Sequence, residues 1–110
     1  MSDLIEKSCK PCEGGVETLT PDQMQLYAKQ IPAWKLNENG TWITRDFSFK
    51  NYYQTMAFVN AIAWIANKEN HHPNLEVGYG KCLVKLSTHA IHGLSENDFI
   101  IAAKIDSLIS

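Results

Sequence analysis

Leu75-Glu76-Val77-Gly78-Tyr79-Gly80-Lys81-Cys82-Leu83-Val84-Lys85-Leu86-Ser87-Thr88-His89 is the stretch whose reading decides the fold. Apolar residues alternate on both sides of a glycine-bracketed corner, as expected of two half-buried strands joined by a tight turn. Leu75, Val77 and Tyr79 share one face of the first strand. On the return strand Cys82, Val84, Leu86 and Thr88 share one face, while Leu83, Lys85, Ser87 and His89 share the other. Just before the hairpin stands Asn70-His71-His72-Pro73. A hairpin brings its outer ends together. With the turn centred near Gly80, His89 faces His71, and a one-residue change of centre faces it with His72. Opposed residues on antiparallel strands hold their Cβ atoms roughly 4.5–5.5 Å apart. The pattern therefore predicts three imidazoles in one small volume. Imidazole both gives and takes a proton near neutral pH, so this corner is the candidate catalytic centre.

Upstream, Thr20-Pro21-Asp22-Gln23 reads as a helix start, with Thr20 as N-cap, Pro21 at the first helical position and Gln23 closing a capping box. Met24, Tyr27, Ala28 and Ile31 recur at helical spacing, and Pro32 ends the run. A first hairpin follows, with Trp34 and Leu36 alternating, Asn39-Gly40 as a left-handed turn, and Trp42 to Phe47 as the return strand. Residues 51–68 form a second helix that is apolar on more than one side. Either it lies sandwiched between the other two helices, or its second face meets another subunit; the pattern favours the subunit. The last helix opens at Ser95, with Asp98 at N3 and Leu94 and Phe99 as a hydrophobic staple, and Ile101, Ile105 and Leu108 continue its apolar face. The predicted architecture is α+β, in the order α-β-β-α-β-β-α, with a four-stranded antiparallel sheet carrying three helices on one face.

A chain of 110 residues with 45% hydrophobic and 20% charged residues suits one globular domain, here placed at 20–110 behind a polar tail at 1–19. The net charge of −2 and the absence of a basic stripe speak against nucleic-acid binding. The longest apolar run, Met56 to Ala66, is about half the ~20 residues that span a bilayer. The first residues carry no secretory pattern, which makes a cytoplasmic location the expectation. Three cysteines without such a signal argue against a disulfide framework. Cys9-Lys10-Pro11-Cys12 matches C-x-x-C, but it lies in the tail rather than after a strand, and no second pair completes a zinc site. Cys82 alternates with apolar neighbours as a small core residue. Three histidines could hold zinc with an open position, yet neighbours in extended chain point to opposite sides, so His71 and His72 reach one ion only if the backbone bends. No metal is expected. Pro73 biases His72 toward extended geometry. His92, in a connector before a helix cap, reads as a solvated loop residue. No nucleophile elbow or phosphate loop is present.

Asn70-His71-His72-Pro73, Val77-Gly78-Tyr79, Leu86-Ser87-Thr88-His89 and Gly93-Leu94-Ser95-Glu96-Asn97-Asp98 together resemble the signature of the pterin-4a-carbinolamine dehydratases. The resemblance covers roughly residues 20–110, and the Cys-x-x-Cys-Glu-Gly-Gly tail is similar to that of bacterial members. It implies a lyase that dehydrates 4a-hydroxytetrahydropterin, the product left by aromatic amino-acid hydroxylases, to quinonoid dihydropterin in tetrahydropterin recycling. It also implies a homodimer or homotetramer with no metal and no bound cofactor. By similarity, His71 and His89 are the acid–base residues, and His72 holds the pterin and supports them. Asn70, Pro73, Ser87, Thr88 and Ala90 line the substrate. Asp98 lies close and orients a histidine, a role it shares with capping its helix. Many members carry an acid four residues before the first histidine; here that residue is Asn67, which leaves Glu69 or Asp98 to orient His71. Animal relatives also act as dimerisation partners of a transcription factor, so an interaction protein using helix 51–68 is the alternative.

Overall fold

The computed structural model describes residues 4–10 and 17–109. The elements are α1 (Pro21–Ala28), β1 (Lys35–Leu36), β2 (Ile43–Ser48), α2 (Tyr52–Glu69), β3 (Asn74–Val77), β4 (Lys81–Leu86) and α3 (Glu96–Asp106), with a short 3-10 turn at His89–Ile91. The sheet is antiparallel throughout, in the order β1-β2-β4-β3. This is the α-β-β-α-β-β-α arrangement that the patterning predicts. No helix among the described residues is long and apolar enough to cross a membrane.

Local chemistry starts each helix where expected. The Thr20 hydroxyl accepts from the Gln23 amide at 3.2 Å while Gln23 Oε1 accepts from the Thr20 amide at 2.9 Å, the reciprocal pairing of a capping box. Asn51 caps α2 through its side chain, and Asn70 ends it in the left-handed conformation at φ 55°. Asparagine tolerates that region better than most residues, because its short side chain bonds locally. Leu94 and Phe99, the staple of α3, are fully buried.

The core lies between the sheet and the helices. Cys82, Val84 and Leu86 of β4 present a fully buried face, as their alternation predicts. Burial raises the Cys82 thiol pKa. Phe47 meets Phe58 of α2 at 4.6 Å between ring centroids, and Trp34 lies edge-on to Phe47 at 6.2 Å. Arg45 covers Phe47 and pairs with Asp106 of α3 at 2.7 Å; the same carboxylate oxygen accepts from the Trp34 indole at 2.8 Å.

Three details depart from the sequence pattern. In the first hairpin only Gly40 has positive φ, at 67°, and the loop runs from Asn37 to Trp42. Asn37 organises it by accepting from the Thr41 and Trp42 amides, so Asn39-Gly40 does not form a two-residue turn. Of Leu75, Val77 and Tyr79, read as one strand face, Leu75 is half-buried but Val77 and Tyr79 are exposed: β3 is an edge strand that ends at Val77, and Tyr79 lies in the corner beyond it. Finally, the central helix is α3, buried on nearly every side between α1 and α2. The face of α2 that carries Tyr53 and Trp64 is open, with Trp64 72% exposed.

The described part of the predicted tail is held against the body. Leu4 is 1% exposed in the hydrophobic core. Burial of a leucine side chain is worth about 1.5–3 kcal/mol, more than the ~0–1 kcal/mol of a partly exposed ion pair such as Lys7–Glu96. Leu4 is thus the anchor, and polar contacts direct the rest. Burial opposes ionisation of Glu69, but the Cys9 amide and the Lys104 ammonium outweigh it and hold its pKa below 4.5. Glu96 is likewise held below 4.5, burial being outweighed by Lys7, Tyr27 and Lys10. Carboxylates with lowered folded pKa values stabilise fully above their unfolded value and lose that contribution as pH falls through the folded value. Denaturant midpoints are therefore expected to fall as pH drops below 4.5, and less steeply in Glu69→Gln. An acid limb identical in the two proteins would show that Glu69 does not contribute.

Candidate active site

His71 sits one residue past the left-handed Asn70, where its amide bonds back to the Ala66 carbonyl at 3.1 Å. This turns the chain sharply off α2 and carries the ring inward, leaving it 5% exposed. There His71 Nε2 lies 2.7 Å from Asp98 Oδ1 in the first turn of α3. The other carboxylate oxygen accepts from the Thr88 hydroxyl at 2.7 Å and from the Ser95 amide at 3.0 Å. Thr88 Oγ1 and Ser95 Oγ are themselves 2.8 Å apart. A fully buried carboxylate thus gathers an imidazole, a hydroxyl and an amide from three different elements. Charge-assisted bonds of this length are stronger than neutral ones, and they offset the cost of burying the charge. With Asp98 ionised, Nε2 carries the donated proton, which fixes the tautomer of His71 and its orientation.

Of the two carboxylates that could orient His71, Asp98 does so, and it still serves its helix by accepting from Ser95. Glu69 turns away; its two oxygens take the Cys9 amide at 2.8 Å and the Lys104 ammonium at 3.2 Å.

The β3–β4 ladder runs one position off the register expected from a turn at Gly80. It pairs Asn74 with Lys85 and Val77 with Cys82, because Tyr79 and Gly80 together form the corner between Gly78 and Lys81. Continued outward, that register faces position 71 with Thr88 rather than His89, and Thr88 is the residue that shares the Asp98 carboxylate with His71. His89 lies one residue further on, where the chain leaves the strand. It opens the 3-10 turn, is exposed, and sets its ring edge-on to Trp42 at 5.8 Å. Trp42, from the first hairpin, also lies beneath the Lys85 ammonium at 5.6 Å. Its nearness to His89 has no sequence signal beyond strand membership, since it depends on β2 lying beside β4.

Ser87 is buried and donates to the Thr41 carbonyl at 2.6 Å, tying the end of β4 to the first hairpin. Thr88 and Gly93 bond each other's backbones, closing the loop that displays His89 and Ala90. Ala90, His72 and Asn70 are exposed, and Pro73 is half-buried. His92, left-handed at φ 53°, is exposed as expected of a loop residue. Among the described residues no group of three or more histidine, cysteine, aspartate or glutamate side chains is arranged to hold a metal ion.

The sequence model of the family described as pterin 4 alpha carbinolamine dehydratase matches residues 17–108. A protein of Nitrosospira multiformis named "Putative pterin-4-alpha-carbinolamine dehydratase" is 56% identical over 108 residues, covering 98% of this chain and 94% of that protein. One of the same name from Nitrosomonas europaea is 58% identical over 107 residues, covering 96% and 93%. Among solved structures, a transcriptional coactivator/pterin dehydratase from Brucella melitensis superposes with a TM-score of 0.81 at 29% identity, over 86% of this chain and all of that one (100%). A pterin dehydratase-like protein identified as a RuBisCO assembly factor in the alpha-carboxysome gives a TM-score of 0.61 at 27% identity, over 69% and 88%.

Proposed function

The chain belongs to the pterin 4 alpha carbinolamine dehydratase family, and from that premise we propose that it is a hydro-lyase converting 4a-hydroxytetrahydropterin to quinonoid dihydropterin. The observation that supports this reading best is the buried Asp98 carboxylate holding His71 at 2.7 Å, beside a loop that displays His89. In the reaction the C4a–O bond breaks and the hydroxyl leaves as water, taking a proton. N5 loses its proton, and the N–H electron pair becomes the C4a=N5 double bond. One general acid and one general base suffice. Histidines suit both, since their ordinary pKa lies near the working pH. His71, oriented by Asp98, and His89, against Trp42, are assigned these two tasks. His72 holds the pterin, with Asn70, Pro73, Ser87, Thr88 and Ala90 lining the ring's approach. The chemistry needs no metal or cofactor. The substrate comes from a reaction that hydroxylates an aromatic amino acid, so the protein serves tetrahydropterin recycling in the cytoplasm. The deciding experiment generates the carbinolamine in situ and follows its loss by stopped-flow absorbance. A rate no faster than the spontaneous one would refute the activity.

The same reading includes a homo-oligomer of two or four copies, because the open face of α2 carries Tyr53 and Trp64 beside an apolar groove of about 380 Å³ that includes Ala57, Ala61 and Leu108. Monomers rarely leave large apolar patches open. Trp64→Glu should convert the assembly to smaller species in sedimentation velocity. Wild-type protein that already sediments as a monomer would remove the oligomer. The same face would serve an interaction role if a partner replaced the second copy, in keeping with the naming of the Brucella melitensis protein as a transcriptional coactivator/pterin dehydratase.

A further inference from the structure

We propose that Leu4–Lys10 is a positioning strap for the His71–Asp98 pair, and that Asn97 and Glu69 are the positioning residues through which it acts. The inference rests on the dehydratase reading above. His71 and Asp98 come from different elements, the end of α2 and the first turn of α3, so their 2.7 Å bond depends on how those two ends are held. The strap touches both. The Cys9 amide donates to Glu69 Oε1 at 2.8 Å, two positions before His71. The Lys10 amide donates to Asn97 Oδ1 at 2.9 Å, and Asn97 Nδ2 donates to the Lys10 carbonyl at 2.8 Å, one position before Asp98.

Asn97 is only 2% exposed and meets the strap as a neighbouring strand would, one donor and one acceptor in register. Such a residue on the first turn of a helix is not needed to cap it, because Ser95 and Asp98 already do so. Lys104 of α3 reaches the second oxygen of Glu69 at 3.2 Å, so one carboxylate joins strap, α2 and α3. Leu4 anchors the far end in the core, and Lys7 pairs with Glu96 beside Asn97. The Leu4 amide bonds to Gln30 Oε1 at 3.4 Å, whereas Lys7, Cys9 and Lys10 reach Glu96, Glu69 and Asn97, each within two positions of His71 or Asp98. Catalytic groups lose rate steeply when misplaced; about 1 Å can cost about 10²-fold. A strap that ties their supports together therefore acts on turnover more than on substrate binding.

The test uses the full chain. Asn97→Ala is expected to lower kcat about tenfold with KM changed less than about twofold, and to move or broaden the downfield Nε2-bound proton of His71 in protein labelled with 15N-histidine. Glu69→Ala should do the same, and it carries the test if Asn97→Ala does not fold. The double variant should lose no more than the worse single one, because both release one strap. Phe47→Leu, a core change in β2 whose ring meets Trp34, Phe58 and Arg45 rather than the strap, should leave kcat and the His71 signal in place at comparable loss of thermal stability. Unchanged kcat and signal in both strap variants would overturn the proposal, as would an equal fall in Phe47→Leu. If the wild-type protein does not dehydrate the carbinolamine, the proposed activity fails, while the His71 signal still decides whether the strap positions it.

Discussion

His71→Ala and His89→Ala are each expected to lower kcat for carbinolamine dehydration by roughly 10²–10⁴-fold, the range that one positioned general acid or base supplies. The two variants should differ in every other respect. His89 is exposed, and its ring meets Trp42 edge-on, so its removal should leave the melting temperature nearly unchanged. His71 is buried and supplies one of the three donors to Asp98, so its removal also leaves a cavity and an under-bonded carboxylate. A lower melting temperature should accompany the lost activity in His71→Ala alone. Stopped-flow rates with thermal unfolding of the same preparations check both statements. Full activity in both variants would take proton transfer away from these residues.

Asp98→Asn is expected to cost about 2–4 kcal/mol of stability and to lower kcat by about 10²–10⁴-fold, although the side chain barely changes shape. Three donors converge on the carboxylate, from His71, Thr88 and Ser95, and the site is sealed from water. A carboxamide has one oxygen and one NH₂ group in their place. If its oxygen faces His71, its NH₂ opposes the Ser95 amide and leaves that donor unmet, while the Thr88 hydroxyl turns to accept from the NH₂ and donate to Ser95 Oγ. If the oxygen faces Ser95 and Thr88, its NH₂ faces Nε2. His71 can then adapt only by taking the other tautomer, with Nε2 as acceptor. The second arrangement sacrifices fewer bonds, so the protein keeps its fold and presents the wrong tautomer. Substituting an asparagine for the orienting aspartate of a serine-protease triad acts in the same way. Denaturant titration and kcat measured together test this. Unchanged values of both would show that the carboxylate neither holds nor orients His71.

Much of this was legible in the residues alone. Thr20-Pro21-Asp22-Gln23, the Cys82/Val84/Leu86 alternation and the Leu94/Phe99 staple each carry a local signal, because caps, pleats and staples act over a few residues. Asn39-Gly40 misled because Asn37, two residues earlier, bonds the loop amides and sets a wider turn. The roles of α2 and α3 are less legible. Helix α2 reads as apolar on more than one side and α3 as carrying one apolar face, yet α3 is the helix that the others cover, because a hydrophobic pattern does not record which helix its neighbours pack around.

The order of elements, the antiparallel hairpins and the histidine-bearing corner follow from sequence, since periodicity and turn chemistry are local and additive along the chain. The partners of those histidines do not. Asp98 carries an unambiguous capping signal, which says nothing about its second oxygen. That oxygen's meeting with His71 depends on α2 and α3 packing side by side. Trp42 reaches His89 because β2 lies next to β4, and Leu4 reaches the core from a segment that reads as a polar tail. Contacts between elements far apart in sequence are fixed by which surfaces bury together, and only the folded structure decides that.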